Sequence, residues 1–452
     1  MMTNEFLKAN LSYWKEVLKD DPVWHRRLHV FLTKMTQEAL DSHPELVKIQ
    51  NRLQSNLMES TFIVNGNKYN LGTVHSTIME KPDRELRKHL LRGSKRIGRE
   101  NEDLFRTLIQ KRNKLAKRHG YSNYYYFRCS LKELDIKAYI AEMDILLEKS
   151  ANSSSYWDKR IKERFGWKTI HQYDQYYSTF NFQQLQTSSF DSNRMKEVLS
   201  DAANSLGILL HQLPVLIESL EIPYGGFCIN INPNEIKLVV NKRDSYSTFL
   251  SGIHEMGHAV EGHYSSFQYP ELYRFYSSIA AEGVAELFQT FITDKSFLLK
   301  NFDLQDEDAQ IEEADHLLNL NMVKMNYYYS LVEYEMYKQP ERSFEEIAAE
   351  CYRHVFRYEG EAFHLASEMF YVENPAFFQA YNFALSIRDM IRSKFKIKSL
   401  YGKADVFQEL LEKFIEPNQL YSWQERVERL CGKPHTFFDL EKTLDFNKFG
   451  NT

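Results

Sequence analysis

His254, Glu255 and His258 stand in the run His-Glu-Met-Gly-His, and Glu282 follows 24 residues after the second histidine. On an α-helix, residues four apart lie about 40° apart around the axis, so His254 and His258 share a face. Two imidazoles one turn apart can chelate one Zn²⁺, with Zn–N distances of roughly 2.0–2.1 Å. Glu255, about 100° further round, borders the open coordination position without filling it. That is the place for a base acting on an activated water. Glu282, in the segment Ala280-Ala281-Glu282-Gly283-Val284-Ala285-Glu286, supplies the third ligand a two-histidine site needs. Glu286, one turn further on, is suited to hold a ligand imidazole from behind. Three protein ligands and an open fourth position imply one catalytic Zn²⁺ per chain, since structural zinc usually closes that position with Cys or His.

The bland alternative is an amphipathic helix carrying two solvated histidines. Leu250, Ile253, Met256, Gly257 and Val260 argue against it, because they surround the histidines with apolar or small residues. A buried His-His-Glu set is costly unless it is paired or metallated. His263 invites a different ligand set, in which a third histidine lies six residues after the second. Here the gap is five, so Glu282 is the better ligand.

The elements that carry these residues read as helices with one exception. Only 17 Gly and 11 Pro interrupt 452 residues, which favours long helices over many turns. Phe105, Leu108, Ile109, Leu115 and Ala116 form one apolar stripe, and Gly120 is placed to end that helix. Helices are also expected over 282–292, 309–338 and 375–394, with Tyr327, Tyr328, Tyr329, Tyr334 and Tyr337 packing a core. The exception is Gly226 to Asn241, where β-branched and aromatic residues flank a turn at Pro233-Asn234-Glu235. That pattern predicts a hairpin just before the histidine helix. Residues 151–193, rich in Ser, Asn, Gln and Tyr, are the expected connection between a 1–150 helical lobe and a 194–452 catalytic lobe.

The apolar share of 43% suffices for a large core. A net charge of −5 with both signs interspersed gives no electrostatic case for nucleic acid. No apolar run approaches the roughly 18 residues of a membrane span. Met1-Met2-Thr3-Asn4-Glu5 has neither a basic nor an apolar signal region, so a cytoplasmic location is expected. Cys129, Cys228, Cys351 and Cys431 form no CxxC pair and read as reduced, buried side chains.

His254-Glu255-Met256-Gly257-His258 with Glu282 at this distance resembles the helical gluzincin peptidases, namely the thimet oligopeptidase and oligoendopeptidase F family and the related angiotensin-converting-enzyme family. Arg112-Asn113-Lys114-Leu115-Ala116 with Gly120-Tyr121, Tyr173-Asp174-Gln175-Tyr176-Tyr177, and Trp423-Gln424-Glu425-Arg426 through Gly432-Lys433-Pro434 are similar to further segments of that family. The likeness spans roughly residues 75 to 440. It implies a mainly α, two-lobed body with a deep central zinc cleft, the N-terminal lobe acting as a lid. It also implies short unstructured peptides as substrates, held along the edge of the small sheet. The family steadies the oxyanion with a His and Tyr in a C-terminal segment. Here Tyr381 matches a family tyrosine, and Tyr371 and His364 are further candidates. Met369 stands where the oligoendopeptidases have His, which motivates a second reading as a peptide-binding pseudoenzyme.

Overall fold

The computed structural model describes residues 2–182, 189–222, 224–304 and 308–445. It is mainly helical, as the sequence predicts, with two small sheets where the sequence predicts one hairpin. The chain divides into two compact units, each built from separated stretches. One takes Met1–Leu40, Leu185–Ile311 and Phe383–Leu440; the other takes Asp41–Gln184, Glu312–Asn382 and Glu441–Thr452. These bounds differ from the linear division at 150 and 193. The stretch expected as a connection instead forms the helices Ala151–Phe165 and Gln172–Asn181, both within the second unit. Residues 183–188 of that stretch lie outside the described residues.

In the second unit, the helix Arg84–Arg118 begins at Asp83, whose carboxylate accepts the Leu86 N–H. It ends ahead of Gly120, whose φ of +82° is the left-handed conformation expected there. Phe105, Leu108, Ile109 and Ala116 are buried, while Leu115 is only half-buried. Arg112 belongs to the same interior. Its guanidinium donates to the Tyr337 hydroxyl and to the carbonyls of Tyr371 and Val372. Strands β1 (Thr61–Val64) and β2 (Asn67–Asn70) pair antiparallel across Asn65-Gly66. Both turn residues have positive φ, as the tightest hairpin turn demands. The expected helix over 375–394 starts only at Gln379. Ala376 has a φ of +56°, its N–H is accepted by Glu333, and Lys132 donates to its carbonyl. These contacts come from distant residues, so no local pattern announces the break.

In the first unit, β3 (Val215–Leu220), β4 (Gly226–Asn232) and β5 (Glu235–Asn241) form a sheet in the order β3-β5-β4. The expected hairpin is β4 paired antiparallel with β5, interrupted by an irregularity between Asn230 and Asn232. β3 joins parallel to β5, with Val215 opposite Ile236. The helix Tyr246–Tyr264, which carries the two histidines, packs on this sheet. Its N-terminus is capped by Ser245, whose hydroxyl accepts the Thr248 N–H. The helix Ser278–Gln289, which carries Glu282, lies against it.

This unit also holds a half-buried His435 among aromatic rings. The rings of Phe383, Trp423 and Phe437 lie 5.2, 5.2 and 5.0 Å from the imidazole, and Ser386 shares a hydrogen bond with it. Burial lowers its pKa from 6.5 to about 4. Between those values the unfolded chain binds a proton that the native state does not. Stability is therefore expected to fall as pH falls through that window, by at most about 1.4 kcal/mol per pH unit from this group. Denaturant titrations across the window should show a shallower pH dependence for His435→Gln. Equal slopes for the two proteins would remove His435 as the cause.

Candidate metal centre

The two helices bring His254, His258 and Glu282 together. One Glu282 oxygen, Oε2, lies 3.3 Å from His254 Nε2 and 3.6 Å from His258 Nε2. One donor atom from each residue falls within a set spanning no more than 4.8 Å. The imidazole rings stand 5.0 Å apart at 80°, so they converge instead of stacking. A tetrahedral ion with bonds of roughly 2.05 Å separates its ligand atoms by about 3.3 Å. The Glu282 oxygen sits at that distance from one imidazole and slightly beyond it from the other. The same oxygen is buried and makes no hydrogen bond. Without an ion, this buried oxygen is balanced only by the charge it shares with the two imidazoles. A cation between the three side chains would take one donor atom from each at once, so the donor set fits a zinc ion.

The charges agree. Burial opposes a charge on His254, yet Glu282, Glu286 and Glu255 outweigh it and push its pKa up to about 9. Burial would raise Glu282, but His258 and His254 hold it well below the usual carboxylate range. A negative field strong enough to keep a proton on an imidazole equally favours a divalent cation.

Glycine sets how closely the helices approach. A Cβ on Gly257, between the two histidines, would come 2.7 Å from the Ala285 Cα. Real Cβ atoms do not approach that closely, so a side chain at 257 would force the helices apart. A Cβ on Gly226 would meet the Val239 carbonyl oxygen of the neighbouring strand at 2.8 Å. A Cβ there would lie 3.2 Å from Glu255 Cγ, which places Glu255 against the start of β4.

Behind Glu282, Glu286 is buried, with Arg388 Nη1 3.6 Å from its Oε2 and the Gln289 amide donating to it at 3.4 Å. Burial pushes the Glu286 pKa up. Arg388 is held in turn by two hydrogen bonds to Asp389, at 2.9 and 3.0 Å, and Arg392 donates to the same carboxylate at 2.9 Å. Sequence reasoning reached Glu286 but missed Arg388 and Asp389, which lie about a hundred residues away and carry no motif. It also missed Tyr276, which is half exposed just ahead of the glutamate helix. Desolvation and the charges of Glu261 and Glu282 keep that phenol protonated. Cys228 of β4 also stays a thiol, because burial, then Glu255 and Glu261, raise its pKa. His263 turns away, its Nδ1 2.9 Å from the Pro233 carbonyl.

The C-terminal candidates belong to the second unit. His364 is fully buried, with Nε2 3.0 Å from Glu102 and Nδ1 accepting the Ala366 N–H. A Cβ on Gly98 would come within 2.5 Å of its ring. Both nitrogens therefore serve the interior of that unit. Tyr371 is also buried and donates its hydroxyl to the Tyr329 carbonyl. Tyr381 is half-buried against Phe377.

Fold and geometry together give a mainly helical body in which two crossing helices present a His-His-Glu donor set beside a small sheet. No family model matches the chain, and no curated protein matches it. Among solved structures it is similar to "PZ peptidase A with inhibitor 2". That likeness has a TM-score of 0.65 at 15% identity and covers 97% of this chain and 86% of that one. Among the described residues, no helix is long and apolar enough to cross a membrane.

Proposed function

We propose that this chain is a zinc-dependent peptidase that hydrolyses peptide bonds in short unstructured peptides. The observation that carries the reading is the convergence of a buried Glu282 oxygen on two imidazoles, with Glu255 one residue from the first of them. His254, His258 and Glu282 hold the ion. When bound, zinc supplies Lewis acidity, bringing the pKa of a coordinated water to ≈ 7 and polarising a carbonyl. Glu255 takes the proton of the attacking water and returns it to the leaving amine. Glu286 steadies a ligand imidazole, and Arg388 with Asp389 fixes Glu286. An extended peptide pairs along β4, where backbone hydrogen bonds give affinity without demanding one sequence. Tyr381 is the proposed donor to the oxyanion.

Peptide hydrolysis read by mass spectrometry on mixed unstructured peptides tests this, beside a chelator-treated sample. Cleavage that chelation removes supports the reading, and the fragment masses separate internal from terminal cutting. A zinc-loaded protein that cuts nothing favours the second reading, a peptide-binding pseudoenzyme. Its motivation is Met369 together with the internal engagement of His364. A further expectation concerns Glu286→Gln, which should weaken zinc binding about 10–100-fold, the usual cost of losing a support behind a metal ligand. Competition with a chromophoric chelator measures it, and unchanged affinity would remove Glu286 from that role.

A further inference from the structure

The first unit carries a cavity that shares no residue with the metal donor set or with β4. It has a volume of about 290 Å³, with Tyr269, Leu272, Glu416, Asn418, Tyr421 and Arg429 in its wall. That is the share of roughly ten water molecules, room for one medium-sized amino acid. Hydrogen bonds fix the wall. The Ser266 N–H donates to the Glu416 carbonyl at 3.2 Å, and the Gln419 amide donates to the Phe275 carbonyl at 2.8 Å. The 416–421 stretch is thereby tied to the chain on either side of the short helix Pro270–Arg274. Leu272 of that helix is buried and Leu420 half-buried, which gives the wall an apolar part.

Two opposite charges lie in the same wall. Arg429 is exposed, with its guanidinium 4.1 Å from the centre of the Tyr421 ring, and Glu416 is exposed as well. Among the described residues neither side chain makes a hydrogen bond or an ion pair. Other arginines on this side of the unit are engaged: Arg27, over the Tyr269 ring, pairs with Glu271, and Arg26 donates to Gln419. Stacking on Tyr421 holds the Arg429 plane, which favours a two-pronged grip on a carboxylate. Asn418 adds a donor. It is 1% exposed, its Oδ1 accepts the Gln419 N–H at 2.8 Å, and its Nδ2 has no acceptor. A buried donor without an acceptor is uncommon, and an oxygen brought from outside the chain would satisfy it.

Water satisfies an isolated exposed charge. A cavity that presents both signs beside apolar side chains instead complements a molecule with both signs and an apolar body. We propose that this cavity binds a free apolar amino acid as its zwitterion, with the carboxylate on Arg429, the ammonium on Glu416 and the side chain against Leu272 and Leu420. The inference stands apart from the peptidase reading, since no residue of the cavity belongs to that site.

Titration calorimetry on the zinc-loaded full chain tests it with leucine, with N-acetylleucine, which lacks the ammonium, and with leucinamide, which lacks the carboxylate. Leucine is expected to bind saturably and about tenfold or more tighter than either blocked form, the worth of one charge-assisted hydrogen bond. Arg429→Gln should weaken leucine by a similar factor and bring leucine and leucinamide to within about twofold. Glu416→Gln should do the same for leucine and N-acetylleucine. Both positions are exposed, so both variants should fold, and circular dichroism and zinc content check that. No saturable binding of leucine, equal binding of the three compounds, or a leucine affinity that neither variant changes would overturn the proposal. The last outcome covers leucine held at the zinc ion, which both variants leave in place.

Discussion

Replacing Glu255 by Gln is expected to leave zinc bound at one equivalent while hydrolysis falls by about 10²–10⁴-fold, the range attributed to one positioned acid–base group. The substitution keeps the side-chain shape, so the contact with Gly226 survives and the sheet stays seated on the helix. It removes the one group that can accept a proton beside the open coordination position. In the proposed site Glu255 is not a ligand, so metal content and turnover should separate cleanly. Metal analysis and peptide turnover on the same preparation decide the matter. Turnover retained in Glu255→Gln would sink the assignment of the base while leaving the metal site intact.

Replacing Glu282 by Ala is expected to have the opposite signature, in which the metal itself is lost. Two histidines one turn apart remain, but the anionic ligand that balances the dication is gone. Affinity should drop by more than about 100-fold, beyond the 10–100-fold cost of disturbing a support behind a ligand. The apo protein should stay folded, because alanine suits the interior of the Ser278–Gln289 helix and the substitution takes a buried charge out of it. Chelator competition gives the affinity and circular dichroism the fold. Full zinc occupancy at unchanged affinity in Glu282→Ala would refute its place among the ligands.

The parts of the molecule legible in the sequence are those fixed by local spacing. The histidine helix follows from His254 and His258 at four residues, and β4–β5 from β-branched runs around Pro233-Asn234-Glu235. Other features depend on partners far along the chain. β3 is a strand because β5 lies parallel to it, and the 375–394 helix is shortened because Glu333 and Lys132 hold Ala376 in a left-handed conformation. Arg112 lies in a run rich in Arg and Lys, yet it is buried against Tyr337, Tyr371 and Val372. The β1–β2 hairpin was available in principle, since Asn65-Gly66 is a strong turn signal, but four-residue strands give little alternation around it. Within the candidate site the motif residues were readable, whereas Arg388 and Asp389 are recognisable only once their helix is seen beside Glu286.

The contact of Gly257 with Ala285 makes one missing methyl group the calliper of the metal centre. Histidines and carboxylate sit on separate rods, and the crossing at Gly257 sets the width of the jaw between them. In the proposed site, selectivity among ions of different radius is expected to depend on a residue that touches no ion. Re-tuning this centre for a larger cation begins with Gly257→Ala, keeping all three ligands as they are.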